Sequence, residues 1–259
     1  MPRLPPLSPV VLAVLLLCAL RAAAGAELTV FVTGSMVDPL EHVAEDFTRA
    51  TGHTLRFERA TTGGLLAKIR AGERGDVIVI TAEAAATLQQ DGTLVSGTAT
   101  QIASSMFAIV VHAGSAPPDV ATPEAFKQAV LRAGRLSYPD PVAATVSGGY
   151  IENVLAELGI KDAARAKASL QPMGYLVGEA VANGEAELGL SFMSEFTADE
   201  DLKVVGFPDA LQKAQLYSIG VFAGSQQSAA ARAFIAFVTG PAARAKLTAA
   251  GVVPAATGP

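Results

Sequence analysis

The sequence predicts an α/β protein of two lobes, each a mostly parallel sheet flanked by helices. Strand and helix patterns alternate almost throughout, which is typical of parallel sheets with helices on both faces. Two long strand patterns, at 106–114 and 215–225, divide the chain into an early block, a middle block and a C-terminal helical tail. The 259 residues suffice for two small cores. One continuous sheet is the alternative arrangement.

The early block is predicted from three strand patterns, each followed by a helix pattern. The run LTVFV at 28–32 is rich in β-branched residues, and apolar residues from Met36 to Phe47 then recur at helical spacing. Gly52 ends that helix, because glycine readily adopts the left-handed conformation of a helix C-terminus. The other predicted pairs are a strand at 54–58 with a helix at about 63–71, and a strand at 76–80 with a helix at 82–92.

The middle block and the tail continue the alternation. Thr122 is a helix N-cap, and Gly134 ends the same helix. The other predicted elements are strands at 106–114, 135–139, 186–192 and 215–225, and helices at 147–159, 175–184, 229–240 and 241–251. We expect the tail to pack on the early block, which gives one lobe from 27–106 with 221–259 and a second lobe from 107–220.

The segment 1–26 has the features of a cleaved secretory signal peptide. Arg3 supplies a positive charge, and Val10–Leu20 is an apolar run of 11 residues that is too short to span a bilayer. Small residues at 24–26 then form a cleavage site before Glu27. A membrane anchor or a buried helix is the alternative. We therefore expect a periplasmic protein without a membrane span after cleavage.

Charge and composition exclude several classes of partner. The signal segment holds two of the 19 basic residues and no acid, so the mature net charge is 17 minus 24, or −7. Nucleic-acid binding needs a basic face and is not expected. The single cysteine, Cys18, lies in the signal segment, so the mature chain has no disulfide and no thiolate metal site. A lipid-modified Cys18 is the alternative, although three leucines precede it.

Three junctions between a strand and a helix are rich in hydroxyl groups and glycine. They are Thr33–Ser35, Thr61–Gly64 and the segment 138–149. Ligands of parallel α/β sheets bind at the carboxyl ends of strands, and free N–H groups at a helix N-terminus favour an anion. None of the junctions contains Lys or Arg, so dipoles would hold that anion. Ordinary N-caps and turns are the alternative interpretation.

The sequence lacks the motifs of common enzymes and cation sites. It contains no G-x-S-x-G, S-x-x-K, H-E-x-x-H or P-loop motif. His42, His53 and His112 lie far apart, and the acids at 199–201 are typical of a solvated loop. We therefore expect a binding protein and not an enzyme, without a cofactor and without a metal cation site.

Several motifs occur in a fixed order from residue 28 to about 255. They are VTGSM, FTRATGHTL, TTGGLLAKIRAGERGDVIV, YPDP and VANGEAELGLSFMSE. In this order the chain resembles the molybdate-binding periplasmic proteins of ABC importers, within the type II solute-binding superfamily. The resemblance implies two lobes joined by two crossing strands, a small anionic ligand in the cleft between them, and delivery to a membrane permease. We expect a monomer.

The resemblance also implies ligand contacts at individual positions. The serine of the family's first junction corresponds to Ser35. The serine of its second junction corresponds to Thr62, or to Thr61 if the loop is shifted by one residue. A backbone donor of the family falls near Ala143 or Ala144.

Two positions bear on the identity of the ligand. A second backbone donor of the family falls near Gly174, and its anion-binding tyrosine falls on Phe192, which has no hydroxyl. The glycine-rich helix start at Ser147 and Gly148 is a further departure from the family pattern. The predicted ligand-binding residues are Gly34, Ser35, Thr61, Thr62, Ala143, Ala144, Ser147, Gly148, Gly174 and Phe192.

The ligand predicted first is a tetrahedral oxyanion such as molybdate or tungstate. The loss of a hydroxyl at Phe192 favours the alternative, a small di- or tricarboxylate for uptake or sensing. A secreted α/β hydrolase is the alternative from another functional class.

Overall fold

The computed structural model describes residues 25–197 and 199–256. Almost all of the predicted signal segment, with Cys18, lies outside these residues. No helix within the described ranges is long and apolar enough to cross a membrane.

The described residues form eleven strands and nine α-helices in alternation. The strands are β1 (Glu27–Thr33), β2 (Thr54–Ala60), β3 (Val77–Thr81), β4 (Thr100–Ser105), β5 (Phe107–His112), β6 (Leu136–Pro139), β7 (Ala168–Gln171), β8 (Leu188–Phe192), β9 (Leu202–Gly206), β10 (Gln215–Val221) and β11 (Val252–Pro254). The helices are α1 (Val37–Thr51), α2 (Thr62–Arg70), α3 (Ala82–Gln90), α4 (Pro123–Arg132), α5 (Val146–Glu157), α6 (Lys161–Arg165), α7 (Tyr175–Ala182), α8 (Ser228–Thr239) and α9 (Pro241–Ala249).

The strands form two mixed sheets. The first has the order β11-β4-β10-β3-β1-β2 and the second β7-β6-β8-β5-β9. Only β1–β2 and β1–β3 are parallel in the first sheet, and only β6–β7 and β6–β8 in the second. The prediction of mostly parallel sheets is therefore wrong in this detail. Because β5 and β10 each enter a sheet from the cleft, they run opposite to the strands whose carboxyl ends face it.

The predicted lobe boundary at residue 220 falls inside a strand. Strand β10 pairs with β3 and β4 from Gln215 to Val221, so it lies entirely in the first sheet. The sequence pattern at 215–225 is continuous, but the chain has already left the second sheet after β9. On the entering side, Met106 alone separates β4 from β5.

Helices cover both faces of both sheets. In the first sheet, one core contains Leu40, Phe234 and Leu247 from α1, α8 and α9, and the other lies under α2 and α3. In the second sheet, α4 and α5 cover one face and α7 covers the other. The predicted two-lobed α/β architecture is confirmed.

Candidate functional site

A cleft lies between the two sheets, where the carboxyl ends of β1, β2, β6 and β8 approach each other. The cleft together with its opening to solvent holds about 320 Å³ that protein atoms do not occupy. The residues that line it from the first sheet are Thr33, Gly34, Ser35, Thr61, Thr62 and Tyr217. Those from the second sheet are Thr145, Val146, Ser147, Met173, Gly174, Phe192 and Glu195.

Seven of the ten residues predicted from the sequence line this cleft, and three do not. The seven are Gly34, Ser35, Thr61, Thr62, Ser147, Gly174 and Phe192. Ala143 and Ala144 are not among the residues that line the cleft. Ala144 instead accepts a hydrogen bond at its carbonyl from the Gly63 N–H, at 3.4 Å. Gly148 packs against the end of β6, because a Cβ there would lie 2.3 Å from the Pro139 carbonyl oxygen.

The hydroxyl groups at the helix starts serve partly as caps. Thr61 caps α2 by accepting from the Gly64 N–H at 3.0 Å. Thr145 caps α5 in the same way, and its own hydroxyl donates to the Asp140 carbonyl at 2.8 Å. Thr145 therefore has no proton left for a ligand, whereas Thr61 can still donate. Thr61 and Thr145 therefore cap helices and also line the cleft.

Ser35 is paired with a tyrosine that sequence reasoning missed. Its Oγ donates to the Tyr217 hydroxyl at 2.8 Å, and both groups are buried. Burial raises the pKa of Tyr217 far above its usual range, so the phenol stays neutral and can donate its own proton. The Tyr217 ring meets Phe192 edge-on with centroids 6.2 Å apart. Tyr217 therefore supplies a hydroxyl beside the position where Phe192 lacks one.

Glu195 is the second residue that the sequence analysis missed. It ends a short 3-10 turn after β8, and its Oε2 accepts from the Ser191 hydroxyl and from the Phe192 N–H. A Cβ on Gly174 would lie 2.0 Å from that oxygen, so only glycine leaves room for the carboxyl group. The segment FMSEF could have indicated this residue, because it places one acid among mostly apolar residues directly after a strand pattern.

The surroundings of Glu195 favour its protonated form. Burial is the main cause and raises the pKa of Glu195 to about 7. The hydrogen bonds from Ser191 and Phe192 oppose the shift, Asp38 adds to it and Arg59 lessens it. The side chain remains partly accessible, since it lines the cleft and also an outer groove beside Asp38 and Tyr175. Glu195 can therefore carry or release a proton near neutral pH.

Among residues 25–197 and 199–256, no lysine or arginine lines the cleft. Arg59 lies at its mouth, where the guanidinium stacks 4.7 Å from the Tyr175 ring centroid and pairs with Asp38 at 3.2 Å. Because Tyr175 begins α7 of the second lobe, this contact joins the two lobes. Within the described ranges, no group of three or more His, Cys, Asp or Glu residues could hold a metal ion.

Comparison with known proteins identifies the family. The family model described as bacterial extracellular solute-binding protein matches residues 28–253. The chain belongs to this family. Its cleft lies where the two lobes of a solute-binding protein face each other.

Relatives of this solute-binding protein differ in their named functions. An aconitate isomerase from a Pseudomonas species is 31% identical over 92% of this chain and 91% of its own length. The molybdate-binding protein ModA of Escherichia coli K12 is 25% identical over 83% of this chain and 84% of its own length. The structure of the Azotobacter vinelandii periplasmic molybdate-binding protein has a TM-score of 0.71 at 20% identity and covers 87% of this chain and 98% of that chain.

These matches confirm two predictions. The chain is related to molybdate-binding periplasmic proteins, and its fold is the two-lobed type II fold.

Proposed function

We propose that this solute-binding protein captures a small polycarboxylate in its cleft and delivers it to the membrane permease of an ABC importer. We place it in the periplasm, as a monomer released by cleavage after Ala26. The unsaturated tricarboxylate aconitate is the first ligand to test, because a relative with 31% identity is named for it.

The uneven chemistry of the lining is the observation that carries this proposal. The first-sheet side presents the hydroxyl groups of Thr33, Ser35, Thr61, Thr62 and Tyr217. The second-sheet side has two hydroxyl-bearing residues, Thr145 and Ser147, and adds the apolar residues Val146, Met173 and Phe192 and the carboxyl group of Glu195. A polycarboxylate has charged oxygens for the hydroxyl side and a carbon skeleton for the apolar side.

A tetrahedral oxyanion such as molybdate or tungstate is the second candidate. Hydroxyl groups and the N-termini of α2 and α5 favour it, as does the similarity to molybdate-binding proteins. Such an anion needs donors around all its oxygens, since a buried unpaired charge is costly. It gains no contact from an apolar wall, and this feature ranks it second. An ionised Glu195 repels an oxyanion and a polycarboxylate alike, so that residue does not distinguish the two candidates.

The hydrolase alternative receives no support from the cleft. None of the lining residues is a histidine. His42 bonds to the Asp38 carbonyl on the surface, and His53 accepts from the Ala26 N–H at the far end of β1. Ser35 donates to Tyr217 and not to a base that could activate it.

Isothermal titration calorimetry with proton counting tests the proposed function. We expect cis-aconitate, trans-aconitate or citrate to bind the mature chain with uptake of a proton, because a bound anion raises the pKa of Glu195 further. The measured enthalpy should then vary with the ionisation enthalpy of the buffer, and affinity should strengthen as the pH falls through about 7. Heat from molybdate alone, without heat from any polycarboxylate, would contradict the proposal.

A further inference from the structure

We propose that Met173 is a specificity-determining residue, which limits the cleft to compact polycarboxylates and excludes those that carry an extension on their carbon skeleton. This size limit rests on the proposed function, because it concerns the ligand of that same site. A contact between the lobes, on the side of the cleft that faces the outer groove, produces it.

Met173 reaches across the cleft from the second lobe to the first. It lies between β7 and the start of α7, and its terminal Cε packs against Gly34, which directly follows β1. A Cβ on Gly34 would lie 2.9 Å from this Cε and 3.9 Å from Oε1 of Glu195. Both Gly34 and Met173 line the cleft. Glycine at position 34 therefore leaves room for the thioether between the lobes.

This contact lies between the cleft and the outer groove. Among the described residues, Glu195 alone lines both spaces. Its carboxyl group also lies against Gly174, where a Cβ would be 2.0 Å from Oε2. Met173 and Gly174 line the cleft, whereas the next residue, Tyr175, already lines the outer groove. The wall between the two spaces is therefore formed by Gly34, Met173, Gly174 and Glu195.

Met173 is the part of this wall that a ligand can displace. Its side chain is partly buried, unbranched and has three rotatable bonds, so it can follow the outlines of acids that differ slightly in shape. Gly34 and Gly174 present backbone, which moves only with the elements that hold it. An extended skeleton would have to push the thioether out of its place against Gly34, and extra carbon forced into a packed space costs free energy.

The outer groove adds a charge preference beyond the wall. Four acids line it besides Glu195, namely Asp38, Glu179, Asp199 and Glu200. Arg59 pairs with Asp38 at 3.2 Å and offsets one of these charges. Because like charges repel, a carboxylate carried past Met173 is disfavoured more than an uncharged chain. Size therefore excludes any long extension, and charge acts further against acidic ones.

Titration calorimetry with citrate and two of its derivatives tests this size limit. One derivative carries an n-butyl group on a methylene carbon, and the other carries the same chain with a terminal carboxylate. We expect the wild type to bind both derivatives at least about tenfold more weakly than citrate. Met173→Ala should bind the butyl derivative about as tightly as citrate, while the acidic derivative stays weaker. Met173→Leu, of similar volume, should keep the wild-type preference.

A double-mutant cycle detects the contact with citrate alone. Gly34→Ala should weaken binding, because its methyl group would press on the Met173 Cε. In the Met173→Ala background the same substitution should have little effect, since that atom is gone. Met193→Ala is the matched control, because Met193 is also partly buried in the second lobe but packs under α7 and does not line the cleft. It should leave affinity and preference unchanged.

The outcomes separate the size limit from the proposed function. Equal binding of citrate and the butyl derivative by the wild type overturns the role of Met173 and leaves the capture of a polycarboxylate standing. An unchanged preference in a folded Met173→Ala variant, or additive effects in the cycle, has the same meaning. A wild type that binds neither citrate nor either isomer of aconitate overturns the size limit together with the proposed function.

Discussion

Glu195 is the residue that most changes the interpretation of the cleft. A carboxyl group in an anion site would be unfavourable if it were always charged. Burial, offset in part by hydrogen bonds from Ser191 and Phe192, instead places its pKa near 7. The same group can then donate a hydrogen bond to an anion when protonated and accept a proton when ionised. The protonation of one residue thus links ligand binding to pH.

Glu195→Gln should change the pH dependence of stability. Since the pKa is about 7 in the folded chain and 4.5 for the reference carboxyl, the folded state binds more protons between these values. Wild-type stability should therefore fall as the pH rises from about 4.5 to about 7, by up to about 3 kcal/mol. Urea unfolding should show equal stabilities near pH 4 and a more stable variant at about pH 8. Parallel curves for the two proteins would contradict the shifted pKa.

Ser35 and Tyr217 should act on ligand affinity as one unit. Tyr217→Phe should weaken binding roughly tenfold to a hundredfold, since it removes a donor to a charged group, which contributes about 1.5–3 kcal/mol. Ser35→Ala should weaken binding less, because Ser35 donates its proton to Tyr217 and acts on the ligand through that phenol. The double variant should therefore be little worse than Tyr217→Phe. Titration calorimetry measures all three.

A control separates this effect from simple loss of stability. Ser218→Ala alters a buried serine beside Tyr217 that does not line the cleft, and it should leave affinity unchanged. Additive losses in the double variant would show that Ser35 and Tyr217 bind the ligand independently. Unchanged affinity in Ser35→Ala, with stability lowered by about 1 kcal/mol, would indicate a structural role alone.

At the scale of elements, the starts of α2 and α5 place one lobe against the other. The alternation of strands and helices was predictable because periodicity is local, and so were the hydroxyl-rich junctions that line the cleft. The positions of Tyr217 and Glu195 in the cleft were not predictable. They depend on the return of β10 to the first sheet and on the turn after β8. Strand direction likewise depends on where the chain crosses between lobes, which periodicity does not record.

Gly63 provides a test of contact between the helix starts. Alanine there should favour the first turn of α2, but its methyl group would lie 2.3 Å from the Ala144 Cβ. We expect Gly63→Ala to hold the lobes apart and to weaken ligand binding without lowering the unfolding temperature of the unligated protein. Titration and small-angle scattering, which reports the radius of gyration, measure the two effects.

Gly149→Ala is the matched control for this experiment. It adds the same methyl group to the first turn of α5, where no atom would lie within 4 Å. Affinity and radius of gyration should match the wild type. Equal effects of the two substitutions would show that the contact between Gly63 and Ala144 does not govern closure.

At the scale of the whole molecule, two lobes with separate cores meet at the ligand cleft and at contacts around it, such as the stacking of Arg59 on Tyr175. Each sheet is buried on both faces, so the lobes are stable bodies and the cleft between them need not contribute to folding. Hydroxyls come mainly from one lobe and apolar contacts from the other. A ligand that satisfies both sides therefore bridges the lobes and stabilises the closed form.

A thermal-shift panel on the mature chain tests the central claim most directly. The panel contains cis-aconitate, trans-aconitate, citrate, molybdate, tungstate, sulfate and phosphate. A ligand at about a thousand times its dissociation constant stabilises by about 4 kcal/mol, which is roughly 8–16 °C for a protein of this size. We predict such a rise with a polycarboxylate and none with the oxyanions at millimolar concentration. A rise with molybdate or tungstate, while every polycarboxylate leaves the melting temperature unchanged, would contradict the account.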